Sequence, residues 1–239
     1  MTLDQATAAD VEVALRSQAD PVKAAFFPRF FKTGKGEYGE GDEFLGVTVP
    51  KQRIIAGRFK DLSRDEIVAL LYNPLHECRL TSLFILVRQY EKGNADVKTR
   101  VVELYLKHID RVNNWDLVDA TAHKIIGPHL ENSDRNLLYT LAATDHLWSQ
   151  RIAIVATYHF IRLGQFHDTL QLADILLEHP HDLIRKAVGW MLRELGKRNH
   201  DLLDSFLRER YDRMPRVMLR YAIERFPEDL RKSYLRGDI

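Results

Sequence analysis

A tryptophan and a carboxylate share one face of a predicted helix, and they are the first residues in this chain that could do chemistry. Trp115 and Asp119 are four residues apart in a helical pattern, so their side chains lie one above the other, off the edge of the apolar stripe. His123 follows one turn later, and Asp116 lies alongside. A carboxylate in such a place can stabilise positive charge, move a proton or bind a metal ion.

The metal interpretation is the weaker one. Asp116, Asp119 and His123 would be three mixed ligands, and no second cluster of ligands accompanies them. An ordinary pairing of Asp119 with His123 along the helix face is the alternative. We therefore predict no metal site.

A second tryptophan lies beside a strip of positive charge. In the helical pattern over 183–197, Trp190 falls about 110° from the centre of the apolar stripe. Its neighbours there are Lys186, Arg193 and Lys197. An aromatic ring among cations is a candidate binding residue, whereas a ring at the edge of the stripe would cap the core. The pattern leaves both interpretations open.

A narrow polar strip interrupts the segment 148–163, which is otherwise apolar nearly all round. Arg151, Tyr158 and Arg162 fall within about 40° of one another on a helical wheel. Because buried unpaired charge is unfavourable, this strip must face a groove or a partner. Salt bridges to acidic residues of the next helices are the alternative.

Amphipathic helical segments position these residues and fill most of the chain. Segments that begin near Arg79, Trp115, Arg151 and Arg185 start 36, 36 and 34 residues apart, and each is followed by another amphipathic helix. The tetratricopeptide consensus is absent. We predict an all-α fold, an α-solenoid of degenerate HEAT-like repeats in one domain over 1–239, with an irregular helical bundle as the alternative.

A glycine-rich segment at 33–43 interrupts the helical pattern. Its stretch 34–39 matches the spacing G-x-G-x-x-G. That fingerprint binds dinucleotides only as the turn from a strand into a helix, and here it follows an aromatic helix end, FFPRFFK. We predict a mobile surface loop in which Lys35 and Tyr38 could contact a ligand.

Composition restricts the class of protein. Of 239 residues, 45% are hydrophobic and 29% charged, which excludes a disordered or low-complexity chain. Lys and Arg number 35 against 34 Asp and Glu, so nucleic-acid binding would depend on local placement of charge. The single Cys78, the absence of a basic n-region and the lack of a long apolar run predict a soluble, cytoplasmic protein.

Four motifs together carry a resemblance to a known family. The stretches N-N-W-D-L-V-D at 113–119, W-S-Q-R at 148–151, R-K-A-V-G-W-M-L-R-E at 185–194 and F-L-G-V-T-V-P at 44–50 resemble the motifs of the AlkD-type DNA alkylation repair glycosylases. This resemblance implies a HEAT-like solenoid whose concave face holds duplex DNA containing N3- or N7-alkylated purines. The chain departs from the family pattern at Asn114 and Phe30, where a Trp and a Tyr are expected, and in its longer loop at 33–43.

The resemblance also implies roles for individual residues. Asp119 would be the catalytic carboxylate, Trp115 and Trp190 the aromatic contacts to the lesion nucleotide, and Arg151 a contact to the DNA backbone. The polar and basic residues that flank them are further DNA-contact candidates: Lys186, Arg193, Tyr158 and Arg162.

One carboxylate is enough for the implied reaction. An alkylated purine is positively charged and is already a good leaving group, so it needs no general acid, unlike an ordinary glycoside. Asp119 would stabilise the forming sugar cation and orient water. Lys124 lies about 140° from Asp119 on the wheel, which favours hydrolysis over Schiff-base lyase chemistry. We expect a monofunctional glycosylase of base excision repair that acts as a monomer, without cofactor or membrane.

Two other functional classes remain open on the sequence. A HEAT-like protein could bind DNA structures without catalysis, although Asp119 argues against this. A protein–protein scaffold is a common use of α-solenoids.

Overall fold

Helices make up nearly all of the regular structure. The computed structural model describes residues 6–239, so the first five residues of the N-terminal segment, where we predicted no secretory signal, lie outside the described residues. Within 6–239 there is no strand, and Glu43 and Leu75 form an isolated β-bridge. The all-α prediction is confirmed. None of the described helices combines the length and the apolar character that crossing a membrane requires.

The chain divides into two compact units, Met1–Thr121 and Ala122–Ile239, so the single domain over 1–239 stays a prediction. The first unit contains the helices α1 (Ala8–Arg16), α2 (Pro21–Phe31), α3 (Val49–Arg58), α4 (Arg64–Leu71), α5 (His76–Lys92), α6 (Ala95–Lys107) and α7 (Trp115–Asp119), with a 3-10 turn at Ile109–Arg111. The second contains α8 (Ala122–His129), α9 (Asn136–Ala142), α10 (Leu147–Ala156), α11 (Tyr158–Arg162), α12 (His167–Ile175), α13 (Asp182–Gly196), α14 (His200–Arg210), α15 (Arg216–Ala222) and α16 (Glu228–Arg236).

The predicted starts of the repeat segments lie close to helix starts in the structure. Helices α5, α7, α10 and α13 begin at His76, Trp115, Leu147 and Asp182. Each lies within four residues of the start that the sequence predicted. The spacing of the apolar residues therefore identified the correct helices.

Helix α5 lies at the centre of the first unit. Thirteen of its 17 residues are buried, and it packs against α3, α4 and α6. Such a helix is apolar around most of its circumference. Its first turn nevertheless buries His76, Glu77 and Arg79, and buried polar groups need partners inside the fold.

Helices α10 and α13 form the centre of the second unit. Helix α10 packs against α8, α9 and α13, and α13 packs against α14 and α15. At Gly189 a Cβ atom would lie 2.5 Å from the carbonyl oxygen of Met218, so glycine allows close approach of α13 and α15. The predicted apolar stripe of α13 is confirmed by its buried residues Ile184, Ala187, Val188, Met191, Leu192 and Leu195.

Two helices that the sequence predicted as continuous are broken at a threonine. The segment 115–126 ends its first helix at Asp119 and resumes at Ala122, and the segment 148–163 breaks at Thr157. The hydroxyl of Thr121 donates to the carbonyl of Leu117 (2.6 Å), and that of Thr157 donates to the carbonyl of Ile154 (2.7 Å). Such side-chain bonds compete with the helical ladder and bend it. A helical wheel drawn through such a break assumes a regular helix that the structure does not have there.

The glycine-rich segment 33–43 forms a series of mostly exposed turns between α2 and α3. Gly36 and Gly41 have φ angles of 79° and 87°, a region that favours glycine. The segment joins two helices, so it cannot be the strand-to-helix turn of a dinucleotide site. Its predicted mobility stays a prediction.

Candidate functional site

Helix α7 holds the predicted tryptophan and carboxylate within five residues. The side chain of Asn114 caps it by accepting a hydrogen bond from the backbone N–H of Trp115 (2.8 Å). Leu117 and Val118 are buried, whereas Trp115 and Asp119 are partly exposed. A helix this short is not stable by itself, so contacts with the rest of the unit must fix its position.

An aromatic cluster supports the indole of Trp115. The ring of Phe31 stacks on it with centroids 5.6 Å apart and planes 18° apart. The ring of Phe30 meets it edge-on at 5.6 Å. Phe30, which replaces the tyrosine expected from the family, is 50% exposed. The two phenylalanines of α2 therefore hold Trp115 from two directions.

A buried charged network joins α7 to α5 and to the end of the glycine-rich segment. The Nε2 atom of His76 lies 2.8 Å from Oδ2 of Asp116, and its Nδ1 atom lies 3.0 Å from Oδ2 of Asp42. Arg79 donates to the other oxygen of Asp42 at 2.6 Å. We call Asp42, His76, Arg79 and Asp116 the His76 network. Asp116, which we considered as a metal ligand, is a partner of His76 instead.

The network keeps His76 charged at neutral pH. Burial by itself lowers the pKa of His76, but the charge and hydrogen bond of Asp116, together with the hydrogen bond of Asp42, raise it to about 9. Burial by itself raises the pKa of Asp42. The hydrogen bond from His76 and the charge of Arg79 outweigh this effect, so the pKa of Asp42 is lowered from its ordinary value. The imidazolium can therefore donate from both ring nitrogens, one to each carboxylate.

The F-L-G motif at 44–46 has a structural function that the sequence did not reveal. The carboxylate of Glu77 accepts the backbone N–H groups of Leu45, Gly46 and Val47 at 2.8–3.1 Å. Gly46 has a φ angle of 78°, and a Cβ atom there would lie 2.2 Å from the carbonyl oxygen of Asp20. Only glycine fits this position, where the backbone binds a buried carboxylate.

In the second unit, Trp190 lies in an aromatic row. Its ring is 6.2 Å from that of Tyr158, and Tyr158 contacts the ring of His123 at 5.4 Å. Trp190 is half-buried. Its indole is thus held by packing and still reaches the surface. The position has features of both interpretations that the sequence left open, a ring that caps the core and a ring that binds a ligand.

The basic strip beside Trp190 is largely neutralised. The guanidinium of Arg193 pairs with Glu224 and lies 3.5 Å from Glu194. Lys197 is 2.6 Å from the same Glu194. Lys186 is half-buried. A DNA contact by Arg193 stays a prediction, and it would require this side chain to leave Glu224.

Arg151 does not share an open strip with Tyr158 and Arg162. It is only 5% exposed, and its guanidinium donates to the carbonyl oxygen of Leu183. Arg162 is exposed and Tyr158 half-buried. Arg151 thus meets a partner inside the fold, one of the two outcomes expected for the strip, and its predicted contact with DNA stays a prediction.

Comparison with known proteins settles the family. A family model described as DNA alkylation repair enzyme matches residues 11–226. The chain belongs to the DNA alkylation repair enzyme family. Its members are named for the repair of alkylated DNA, which assigns this protein to DNA repair. No curated protein matches the chain.

The fold of this DNA alkylation repair protein also occurs in a solved structure. The chain is similar to a predicted DNA alkylation repair enzyme from Enterococcus faecalis, with a TM-score of 0.71 and 15% sequence identity. The match covers 88% of this chain and 98% of the other. It confirms the predicted fold class, an all-α array of HEAT-like repeats, while the concave DNA-binding face stays a prediction.

In the described part of the chain, no three His, Cys, Asp or Glu side chains are grouped so as to hold a metal ion.

Proposed function

We propose that this DNA alkylation repair protein is a monofunctional DNA glycosylase, which hydrolyses the N-glycosidic bond of N3- or N7-alkylated purines in duplex DNA. One observation carries the proposal: α7 presents the indole of Trp115 and the carboxylate of Asp119 within a single five-residue helix. That pair is the one whose chemistry suits a cationic nucleotide.

The positive charge of the alkylated base already makes it a good leaving group. When the glycosidic bond breaks, its electron pair moves to the purine nitrogen, the base leaves neutral and the sugar becomes an oxocarbenium ion. Asp119 stabilises this cation and orients a water molecule, which adds to C1′ and loses a proton. No acid needs to protonate the leaving base, so a second carboxylate is unnecessary.

Trp115 in the first unit and Trp190 in the second are each suited to recognise the charge. An indole face attracts a nearby cation by about 0.5–2 kcal/mol, depending on how far water is excluded. Trp115 and Trp190 are both partly exposed and both supported by neighbouring rings. Each can therefore offer an ordered aromatic face to the lesion nucleotide.

The polar and basic residues that remain accessible are the candidates for phosphate contacts. Lys186 and Tyr158 are half-buried, and Arg162 is exposed. Since phosphate contacts position a protein without reading sequence, these residues would hold the duplex whether or not it is damaged.

Lesion selectivity tests the proposal. Base release should be measured in single turnover from duplexes with 7-methylguanine or 3-methyladenine, which are cationic nucleotides, and with the neutral lesions uracil and 8-oxoguanine. We expect release of the two alkylated bases and none of the neutral ones. Release of neutral bases at comparable rates would contradict the mechanism.

Paired arginine variants separate phosphate contacts from structural roles. Arg162→Ala should reduce the slope of log K against log salt by about one unit for damaged and undamaged duplex alike. Arg151→Ala should leave the slope unchanged and lower the melting temperature, because Arg151 is buried against the Leu183 carbonyl. Fluorescence anisotropy titrations over a range of salt, with thermal melts, give both readouts. A reduced slope for Arg151→Ala would restore it as a DNA contact.

Trp190→Ala should affect cationic lesions selectively. Losing the indole face removes about 0.5–2 kcal/mol of attraction for a cationic nucleotide, while undamaged DNA, held by phosphates, should bind almost as before. Trp190→Phe is the matched control, since it keeps an aromatic face against Tyr158. Excision of 7-methylguanine and the melting temperature are measured on the same preparations. A large loss of stability with proportionate loss of all binding would show that Trp190 only caps the core.

A further inference from the structure

Two arginines of the first unit reach across the contact between α3 and α5. The side chain of Arg53 extends from α3 onto α5, where its guanidinium carbon lies 4.0 Å from the centre of the Phe84 ring. The side chain of Arg88 extends the other way, from α5 onto α3, and donates to the backbone carbonyl of Arg53 (3.2 Å). We call Arg53 and Arg88 the arginine pair.

The surrounding residues hold both side chains in place. Phe84 is 2% exposed, so it offers Arg53 a fixed aromatic face, to which a guanidinium is attracted. A Cβ atom on Gly57 would lie 3.3 Å from Nη2 of Arg88, so glycine leaves room for this guanidinium against α3. The arginine pair is therefore ordered by a ring, a carbonyl and a glycine, none of which neutralises its charge.

The arginine pair carries two positive charges that lack a close counterion. Burial and the charge of Arg88 lower the pKa of Arg53, and the charge of Glu91 acts against them. Among the described residues, no carboxylate forms a salt bridge with either arginine, so Glu91 acts from a distance. Like charges held close together repel each other, and an anion that contacts both would relieve the repulsion.

The arginine pair continues a face of α3 and α5 that begins beside Trp115. Val49 of α3 and Leu80 of α5 line a cavity together with Trp115. Arg53 and Phe84 each follow one of these two residues by four positions, which is one turn and about 6 Å along each helix. The guanidinium of Arg53 therefore lies about one helical turn from the cavity, on the same face.

We propose that the arginine pair binds one phosphate group of the DNA backbone close to the lesion nucleotide, with both guanidiniums contacting the same phosphate. Guanidinium groups donate to phosphate oxygens in a fixed fork geometry. A separation of about 6 Å corresponds to about two nucleotides of B-DNA, which rises 3.4 Å per nucleotide. The inference rests on the proposed function in one respect, namely that the lesion nucleotide lies at Trp115.

This contact would give the first unit a grip of its own on the backbone. The candidates for phosphate contacts named above, Lys186, Tyr158 and Arg162, all belong to the second unit. Because a phosphate contact reads neither sequence nor damage, the arginine pair should act on undamaged duplex as well. Its effect can therefore be measured without any excision.

The salt dependence of duplex binding tests the proposal. Anisotropy titrations with undamaged duplex compare wild type with Arg53→Gln, Arg88→Gln and the double variant. We expect the double variant to reduce the slope of log K against log salt by about 0.9 units, the value for one phosphate, and each single variant to reduce it by part of this. Replacing both arginines by lysine should keep the wild-type slope, because lysine retains the charge.

Arg58→Gln is the matched control. Arg58 is exposed at the end of α3, about 140° around the helix from Arg53, and its guanidinium lies over Phe59 at 5.7 Å. This variant should keep the wild-type slope. Glutamine retains part of the aliphatic stem, so all melting temperatures should stay near that of wild type, and the single variants carry the test if the double variant does not fold.

Three results would overturn the proposal. An unchanged slope in the glutamine variants would show that the arginine pair touches no phosphate. An equal reduction in Arg58→Gln would show a general effect of net charge. A reduction near two units in the double variant, with additive single effects, would mean that the two arginines contact separate phosphates.

The outcomes also separate this contact from the proposed reaction. A protein that releases 7-methylguanine, and whose double variant keeps the full salt slope, has the activity and lacks the proposed contact. A protein that releases no base, and whose double variant loses the expected part of the slope, has the contact and lacks the glycosylase activity.

Discussion

Asp119→Asn is expected to slow single-turnover excision of 7-methylguanine by about 10²- to 10³-fold, while the melting temperature stays near that of wild type. Asparagine keeps the shape of the side chain and removes the negative charge that we propose stabilises the forming sugar cation. Asp119 is partly exposed at the end of α7, outside the buried positions Leu117 and Val118. Because the side chain lies outside these buried positions, we expect the substitution to slow bond cleavage more than it lowers stability.

Asp110→Asn is the matched control for charge. Asp110 is exposed in the 3-10 turn just before α7, so its loss changes the net charge of the protein equally without touching α7. Duplex binding is measured for both variants to separate affinity from chemistry. Near-wild-type excision by a folded Asp119→Asn protein would show that another group stabilises the sugar cation.

His76→Asn should destabilise the protein by about 3–5 kcal/mol, the range seen when one partner of a buried ion pair is removed. Without the imidazolium, the carboxylates of Asp42 and Asp116 lose the hydrogen-bond donor that they share. Asp42 keeps the hydrogen bond from Arg79, whereas His76 is the donor that Asp116 has in this network. The aromatic packing also suffers, since the rings of Phe31 and Phe44 lie 4.7 Å and 5.1 Å from that of His76. Urea unfolding at neutral pH measures the effect.

The raised pKa of His76 also predicts how the free energy of unfolding depends on pH. The pKa of His76 rises from 6.5 to about 9 on folding, so its charged form is bound more tightly in the folded state. This contribution, about 3 kcal/mol by linkage, is complete below pH 6.5 and is lost as pH rises through about 9. His76→Asn should lack this alkaline loss.

His108→Asn controls for an ordinary histidine. Burial and the charge of Lys107 lower the pKa of His108, so its titration ends below the alkaline range. This variant should lose stability between pH 7 and 10 in parallel with wild type. If wild type shows no alkaline loss, or if His76→Asn is as stable as wild type, the His76 network does not hold α7 in place.

The sequence predicted the helices well because amphipathic periodicity is a local property. The buried stripe of α13 and the starts of α5, α7, α10 and α13 follow from the spacing of apolar residues alone. The breaks at Thr121 and Thr157 were missed, because apolar spacing continues through them. The signal was a threonine in the middle of each segment, whose hydroxyl can bond to a preceding carbonyl.

The candidate site was predicted in part. Trp115 and Asp119 were identified as candidates because they lie on one face of a predicted helix. The His76 network was missed, because it joins residues 34 and 40 positions apart in the chain. Considering one helix at a time cannot find such a network. A signal was present in the first turn of α5, where the polar residues of H-E-C-R precede the apolar run L-F-I-L-V at 83–87.

Long-range partners also changed the interpretation of the arginines. Arg193 pairs with Glu224, 31 residues away, and Arg151 bonds to the backbone at Leu183, 32 residues away. A helical wheel shows the face on which an arginine lies but not the group that it meets. The predicted basic strip therefore carries less free charge than its composition indicates.

The products formed from a duplex with one 7-methylguanine test the central claim most directly. Wild-type protein is incubated with a labelled duplex, free bases are separated and identified, and the strand is examined before and after heating in alkali. Monofunctional hydrolysis predicts free 7-methylguanine in step with abasic sites, and a strand that breaks only after alkaline heating. Binding of the duplex without release of the base, or strand cleavage before heating, would contradict the account.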